Sequence, residues 1–249
     1  MGILQVLIIL NRLKEMDEFL RQNYFIITRS VEFLAAATGL ICFYKYRKTA
    51  VKYFILFLVY AALGDYLGGY PTFFARFNAL HLIENTVFEK NYFYYAVFWG
   101  IGTAVFFPFF YRKILSDSVR KRFLFFATLL FFVGSVIYLA LNAQLLNHKF
   151  YIPIFVWGSF LILLCVCFYF IEVLESDKVL TFYKSIYFWI SSVILIWFLI
   201  TTPLLFYETY FSTADWNFVF LKWQLYLAAN MFMYVSFTIA LLWCKPENN

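Results

Sequence analysis

The chain has 249 residues, of which 64% are hydrophobic, 25% aromatic and 14% charged. Soluble domains carry about 25% charged residues, so this composition excludes a water-exposed globule and places the chain in the membrane class. The net charge of +6 sits in short basic clusters beside apolar stretches, where positive charge sets topology; the lipid bilayer is the expected partner, and no direct nucleic-acid binding is expected.

At the N-terminus, Ile3, Leu4, Leu7, Ile8, Leu13, Met16 and Leu20 recur at helical spacing among charges, which predicts an amphipathic helix over residues 1–22 lying on a membrane surface. A signal peptide would open on basic residues and close on a small-residue cleavage site, and neither is seen. The alternative is a functional chain that begins near Met16.

A span needs about 20 mostly apolar residues, and seven candidates follow at roughly 24–44, 53–69, 92–111, 123–142, 151–173, 185–207 and 217–243. The expected fold is all-α: residues 23–249 as a single seven-helix transmembrane domain of a polytopic membrane protein. Lys45, Arg47, Lys48 and Lys52 follow the first span, Arg112, Lys113, Arg120, Lys121 and Arg122 the third, Lys178 and Lys184 the fifth, and Lys245 the seventh; the opposite loops hold Arg76, Lys90 and Lys149. This asymmetry puts the N-terminus outside and the C-terminus in the cytoplasm of a cell inner membrane. Arg12, Lys14 and Arg21 oppose it but are accompanied by Glu15, Asp17 and Glu18.

Four charges interrupt the spans: Arg29 and Glu32 in the first, Asp65 in the second and Lys222 in the seventh. Charge in hydrocarbon is costly, so each marks a pairing or a site. Arg29 and Glu32 share a helix face that continues through Ala36 and Gly39, small residues that admit a neighbouring helix. Asp65 lies above Ala61 and Ala62, and Lys222 continues through Tyr226, Ala229 and Asn230. The sixth span adds Thr201, Thr202 and Pro203, the proline freeing a backbone carbonyl. Arg29, Glu32, Asp65, Thr201, Thr202, Lys222 and Asn230 thus form the candidate ligand-binding site or buried charge network.

Three arrangements fit these residues. One is an outward-facing polar cavity for a small ligand or ion, with Glu32 and Lys222 as charged walls. Another is a salt-bridge network fixing helix register, Arg29 with Glu32 or Asp65 and Lys222 with a carboxylate. The third has Arg29 and Lys222 snorkelling to headgroups.

Glu172 and Glu175, followed by Ser176 and Asp177, end the fifth span as either an acidic patch for a basic cytosolic partner or a helix terminus meeting water. Tyr92, Tyr94, Tyr95, Trp99, Trp189, Trp197 and Trp216 fall near span ends, as interface belts require. Cys42, Cys165, Cys167 and Cys244 lie toward the cytosolic side, where disulfides are not expected.

No catalytic residue, cofactor or metal is assigned. The chain has two histidines, His81 and His148, both in loops, which cannot build a His-rich metal site. GxSxG, P-loop and Gly-rich phosphate motifs are absent. Lys222 lies too near the outer end of its span for a retinal lysine, and the halves show no convincing transporter repeat, although Gly68, Gly69 and Pro71 loosely mirror Thr201, Thr202 and Pro203. The Gly64-Asp65 pair resembles intramembrane lyso-ether-lipid hydrolases, whose other motifs are missing.

The run Val31-Glu32-Phe33-Leu34-Ala35-Ala36-Ala37-Thr38-Gly39-Leu40-Ile41, with Tyr44-Lys45-Tyr46-Arg47-Lys48-Thr49, Lys52-Tyr53-Phe54 and Phe188-Trp189-Ile190-Ser191-Ser192, resembles small seven-helix membrane proteins common in Bacteroidetes, from about residue 24 onward. The resemblance implies this fold and topology, and an accessory role beside RNA-guided nucleases or sensor kinases, with a cytosolic signalling or defence partner or a homo-oligomer. It also implies an acidic residue in the third span, where this chain has Phe98-Trp99-Gly100-Ile101-Gly102. Three function classes follow: a non-enzymatic sensor, accessory or effector that alters membrane permeability, a small-solute or ion transporter, and an intramembrane lipid-modifying enzyme using Asp65 and Glu32 as acid and base.

Overall fold

The computed structural model describes residues 3–142, 151–176, 180–210 and 216–246. His148, Lys149, Asp177 and Lys178 lie outside these. The described residues form helices and no strands: α1 (Ile3–Tyr46), α2 (Val51–Gly68), α3 (Tyr70–Arg76), α4 (Tyr92–Tyr95), α5 (Gly102–Ile114), α6 (Ser118–Leu141), α7 (Ile152–Leu174), α8 (Ile186–Tyr210) and α9 (Trp216–Trp243). A π-helical segment, Ala96–Ile101, joins α4 to α5 in one span, Tyr92–Ile114. Among the described residues, seven helices are long and apolar enough to cross a membrane.

Residues 3–22 are not set off from the first span by any turn, because α1 is a single helix of 44 residues. Positions 3–38 contain neither Gly nor Pro, so nothing breaks the backbone ladder where apolar residues give way to charged ones. At 1.5 Å per residue the helix is about 66 Å long, roughly twice a hydrocarbon core. The helix α6 begins at Ser118, before the expected 123. Asp117 caps it by accepting from the Val119 N–H at 2.8 Å, which satisfies an otherwise orphaned donor and lets the basic first turn be helical.

The helices form a ring in which α1 packs between α2 and α9, α9 on α8, α8 on α7, α7 on the third span, and the third span on α2. α6 lies outside the ring against the third span and α7, burying little beyond Leu124 and Ser135. α1 and α9 run parallel: Tyr24 meets Trp223 near one end, and Tyr46 meets Leu241 near the other. α2 runs antiparallel to both.

The core is densest toward the basic-loop end. Phe54 packs edge-on against Phe237 at 4.9 Å, and the buried Tyr111 hydroxyl donates to Ser191 Oγ at 2.8 Å. α1 also closes the C-terminus of α9. The Tyr46 hydroxyl reaches the carbonyls of Leu241 at 3.1 Å and Cys244 at 2.7 Å, and Lys45 Nζ donates to those of Leu241 and Leu242. Terminal carbonyls have no intrahelical partner, so these donors supply one and the lysine also meets the negative helix end. Tyr46→Phe removes both of these hydroxyl hydrogen bonds and is expected to cost about 1–2 kcal/mol, read as a lower thermal midpoint in detergent.

Candidate functional site

At the end of the ring opposite the basic loops, the small-residue face of α1 (Ala35, Ala36, Gly39) brings α2 close. A Cβ at Gly39 would stand 3.0 Å from Ile55. That approach carries Arg29 to Asp65, with Nε and Oδ2 3.8 Å apart and the two side chains 29% and 22% exposed. Tyr95 from the third span donates to the other oxygen, Oδ1, at 3.0 Å. The guanidinium lies 5.8 Å from the Phe25 ring and 5.7 Å from the Tyr66 ring, within cation–π range. Gly69 leaves it room, since a Cβ there would meet Nη2 at 2.8 Å. The Arg29–Asp65 alternative is therefore the pairing formed.

Glu32, three residues on, turns toward α9 and is 4% exposed. The Tyr234 hydroxyl is its hydrogen-bonding neighbour, while its Oε2 has no partner. One turn before it, the hydroxyl of buried Thr28 is also without a partner. Hydroxyls within helices commonly fold back on the carbonyl four residues earlier, as Ser30, Thr128, Ser159, Thr201 and Thr238 do. Thr28 does not. One further turn out, Tyr24 packs on Trp223 with ring centroids 6.5 Å apart, so Tyr24, Thr28 and Glu32 line the α1–α9 seam.

The remaining predicted residues are placed elsewhere along the ring. Asn230 accepts from the Trp197 indole at 2.8 Å, linking α8 to α9. Thr201 is buried against its own helix, and Thr202 is buried with its hydroxyl unpartnered. Lys222 is half-buried on α9.

Glu172 and Glu175 do not form a bare acidic patch. Arg120 contacts Glu175 at 2.6 Å, Asp117 at 3.4 Å and Glu172 at 3.9 Å, and Glu172 also accepts from the Ser116 N–H. The cluster ties the α5–α6 turn to the end of α7.

Several site residues carry no distinctive sequence pattern. Tyr95, placed above among the interface aromatics, holds Asp65. Tyr94 donates to the Gly64 carbonyl at 2.8 Å, Asn91 to that of Gly68 at 3.0 Å and Tyr60 to that of Phe98 at 2.7 Å, fastening the third span to α2. The Phe98–Gly102 stretch, where the resemblance implies an acid, lies in the π-helical segment and the turn after it. π segments interrupt the regular ladder, and Tyr60 takes up a carbonyl there.

A scan against protein-family models and comparisons with curated proteins and solved structures find no match to this chain.

Proposed function

We propose that the chain is a non-enzymatic integral membrane module, a sensor, accessory or effector, that takes a small polar ligand or ion at the α1–α2–α9 end of its ring and alters membrane permeability in response. The loop charges support an outward orientation of that end in a cell inner membrane. The observation that carries the reading is Glu32, a carboxyl 4% exposed with one oxygen unpartnered. Buried polar atoms are ordinarily satisfied, and ionisable groups within spans mark function by default. Register alone does not require it, because Lys45 and Tyr46 already link α1 to α9.

The carrier reading is supported by the α–π–α interruption of the third span beside this site, since transporters build sites from discontinuous helices. The lipid-enzyme reading is weaker: Asp65 would have to exchange protons while held by Arg29 and Tyr95.

The test is membrane potential, followed with a voltage-sensitive dye during induced expression of the wild type and of Glu32→Gln at matched protein level. Depolarisation by the wild type that the variant loses is the expected result. Potentials identical to an empty-vector control in both would overturn the permeability role.

A further inference from the structure

Arg29 pairs with Asp65 at 3.8 Å, and Tyr95 completes Asp65, while Glu32 turns to the α1–α9 seam with Oε2 unpartnered. Two oxygen atoms on that seam, Glu32 Oε2 and Thr28 Oγ1, are buried without partners. They belong to residues four apart, so they lie on one face of α1, and Tyr234 of α9 supplies a third oxygen beside Glu32.

We propose that the α1–α9 seam holds a binding site for an alkali-metal cation, liganded by Glu32 Oε2 and Thr28 Oγ1 with the Tyr234 hydroxyl alongside. This rests on the ligand-binding reading above and names its ligand. The seam offers a single carboxyl, which suits a monovalent ion that takes the place of its proton. The donor chemistry specifies a hard one, because all the atoms offered are oxygens. A group of three His, Cys, Asp or Glu, as a divalent or transition metal would favour, does not occur among the described residues. Tyr24 and Trp223 cover the seam one turn outward, so an ion enters as this aromatic pair parts.

The experiment is thermal unfolding of the purified protein in detergent, with choline chloride replaced by sodium, potassium or lithium chloride at constant ionic strength and pH. A ligand that binds only the folded state raises the midpoint by mass action, and a rise of about 5 °C at a large excess over Kd is expected for a chain of this size. Glu32→Gln removes the charge and should abolish the rise. Thr28→Val removes one ligand at nearly constant shape and should move the response to roughly tenfold higher cation concentration. It also serves where Glu32→Gln does not accumulate. Wild-type midpoints identical in choline and all three alkali chlorides overturn the proposal, as does a midpoint that follows pH while ignoring the cation. Loss of depolarisation with the cation shift intact would overturn the effector reading alone; depolarisation with no cation shift would overturn the ion assignment alone.

Discussion

Gly64→Ala is expected to destabilise the protein by about 2–3 kcal/mol, whereas Gly134→Ala should leave it unchanged or up to about 1 kcal/mol more stable. Both glycines are helical, so the backbone gain from alanine is the same at each and the surroundings decide the sign. A methyl on Gly64 would fall within the Phe98 ring. A phenyl ring can often swing aside, but this one is stacked between Tyr60, with centroids 4.0 Å apart, and Tyr94, 5.3 Å apart. Those flanking rings are themselves pinned through their hydroxyls to the Phe98 and Gly64 carbonyls. Relief therefore requires the third span to move off α2, breaking hydrogen bonds as it goes. At Gly134, on the outer helix α6, nothing lies within 4 Å, and only the helix-propensity gain remains. Thermal midpoints of the two variants in one detergent decide the matter; equal shifts would mean that the ring stack yields freely. The same displacement would draw Tyr95 from Asp65, so Gly64→Ala should also weaken Glu32-dependent depolarisation.

The seven spans are legible in the sequence because each is a long apolar run and the lipid imposes one length on all of them. Helix ends are less so. Arg120, Lys121 and Arg122 look like a loop by hydropathy, yet they are good helix formers behind a capping Asp117. The reach of α1 through residues 3–46 likewise reflects backbone continuity, which an apolar window does not measure.

At the site, Arg29, Glu32 and Asp65 are conspicuous as charges in apolar runs, and their mutual pairing is one of the alternatives the spacing allows. Spacing cannot choose among them, because Arg29 and Glu32 share a helix turn and still face different neighbours, α2 and α9. The tyrosines are not legible at all. Membrane proteins collect tyrosine at span ends for interfacial reasons, so nothing in the sequence separates Tyr95, which holds Asp65, or Tyr234, which meets Glu32, from the rest. The role of Gly64 is hidden for the same reason: the ring that needs its space comes from a residue 34 positions later.

Asp65→Leu is expected to cost about 3 kcal/mol and Arg29→Leu about 2 kcal/mol, with the double variant at least 1 kcal/mol less destabilised than their sum. Stripping one partner from a fully buried ion pair costs about 3–5 kcal/mol, but these side chains keep 29% and 22% of their exposure, and solvent screening lowers the figure. Asp65 carries the larger loss because it also accepts from Tyr95, worth about 1 kcal/mol. Asp65→Asn retains that acceptor and should fall between wild type and Asp65→Leu. Thermal midpoints for the cycle check the coupling, and strict additivity would show that the 3.8 Å contact contributes nothing of its own. The Asn variant also tests the charge balance on which the cation site depends. With Asp65 neutral, Arg29 is released from its counter-ion and lies three residues from Glu32 on the same helix. It then supplies the charge that the alkali cation supplies in the wild type, so Asp65→Asn should fold yet lose the sodium-dependent rise in midpoint.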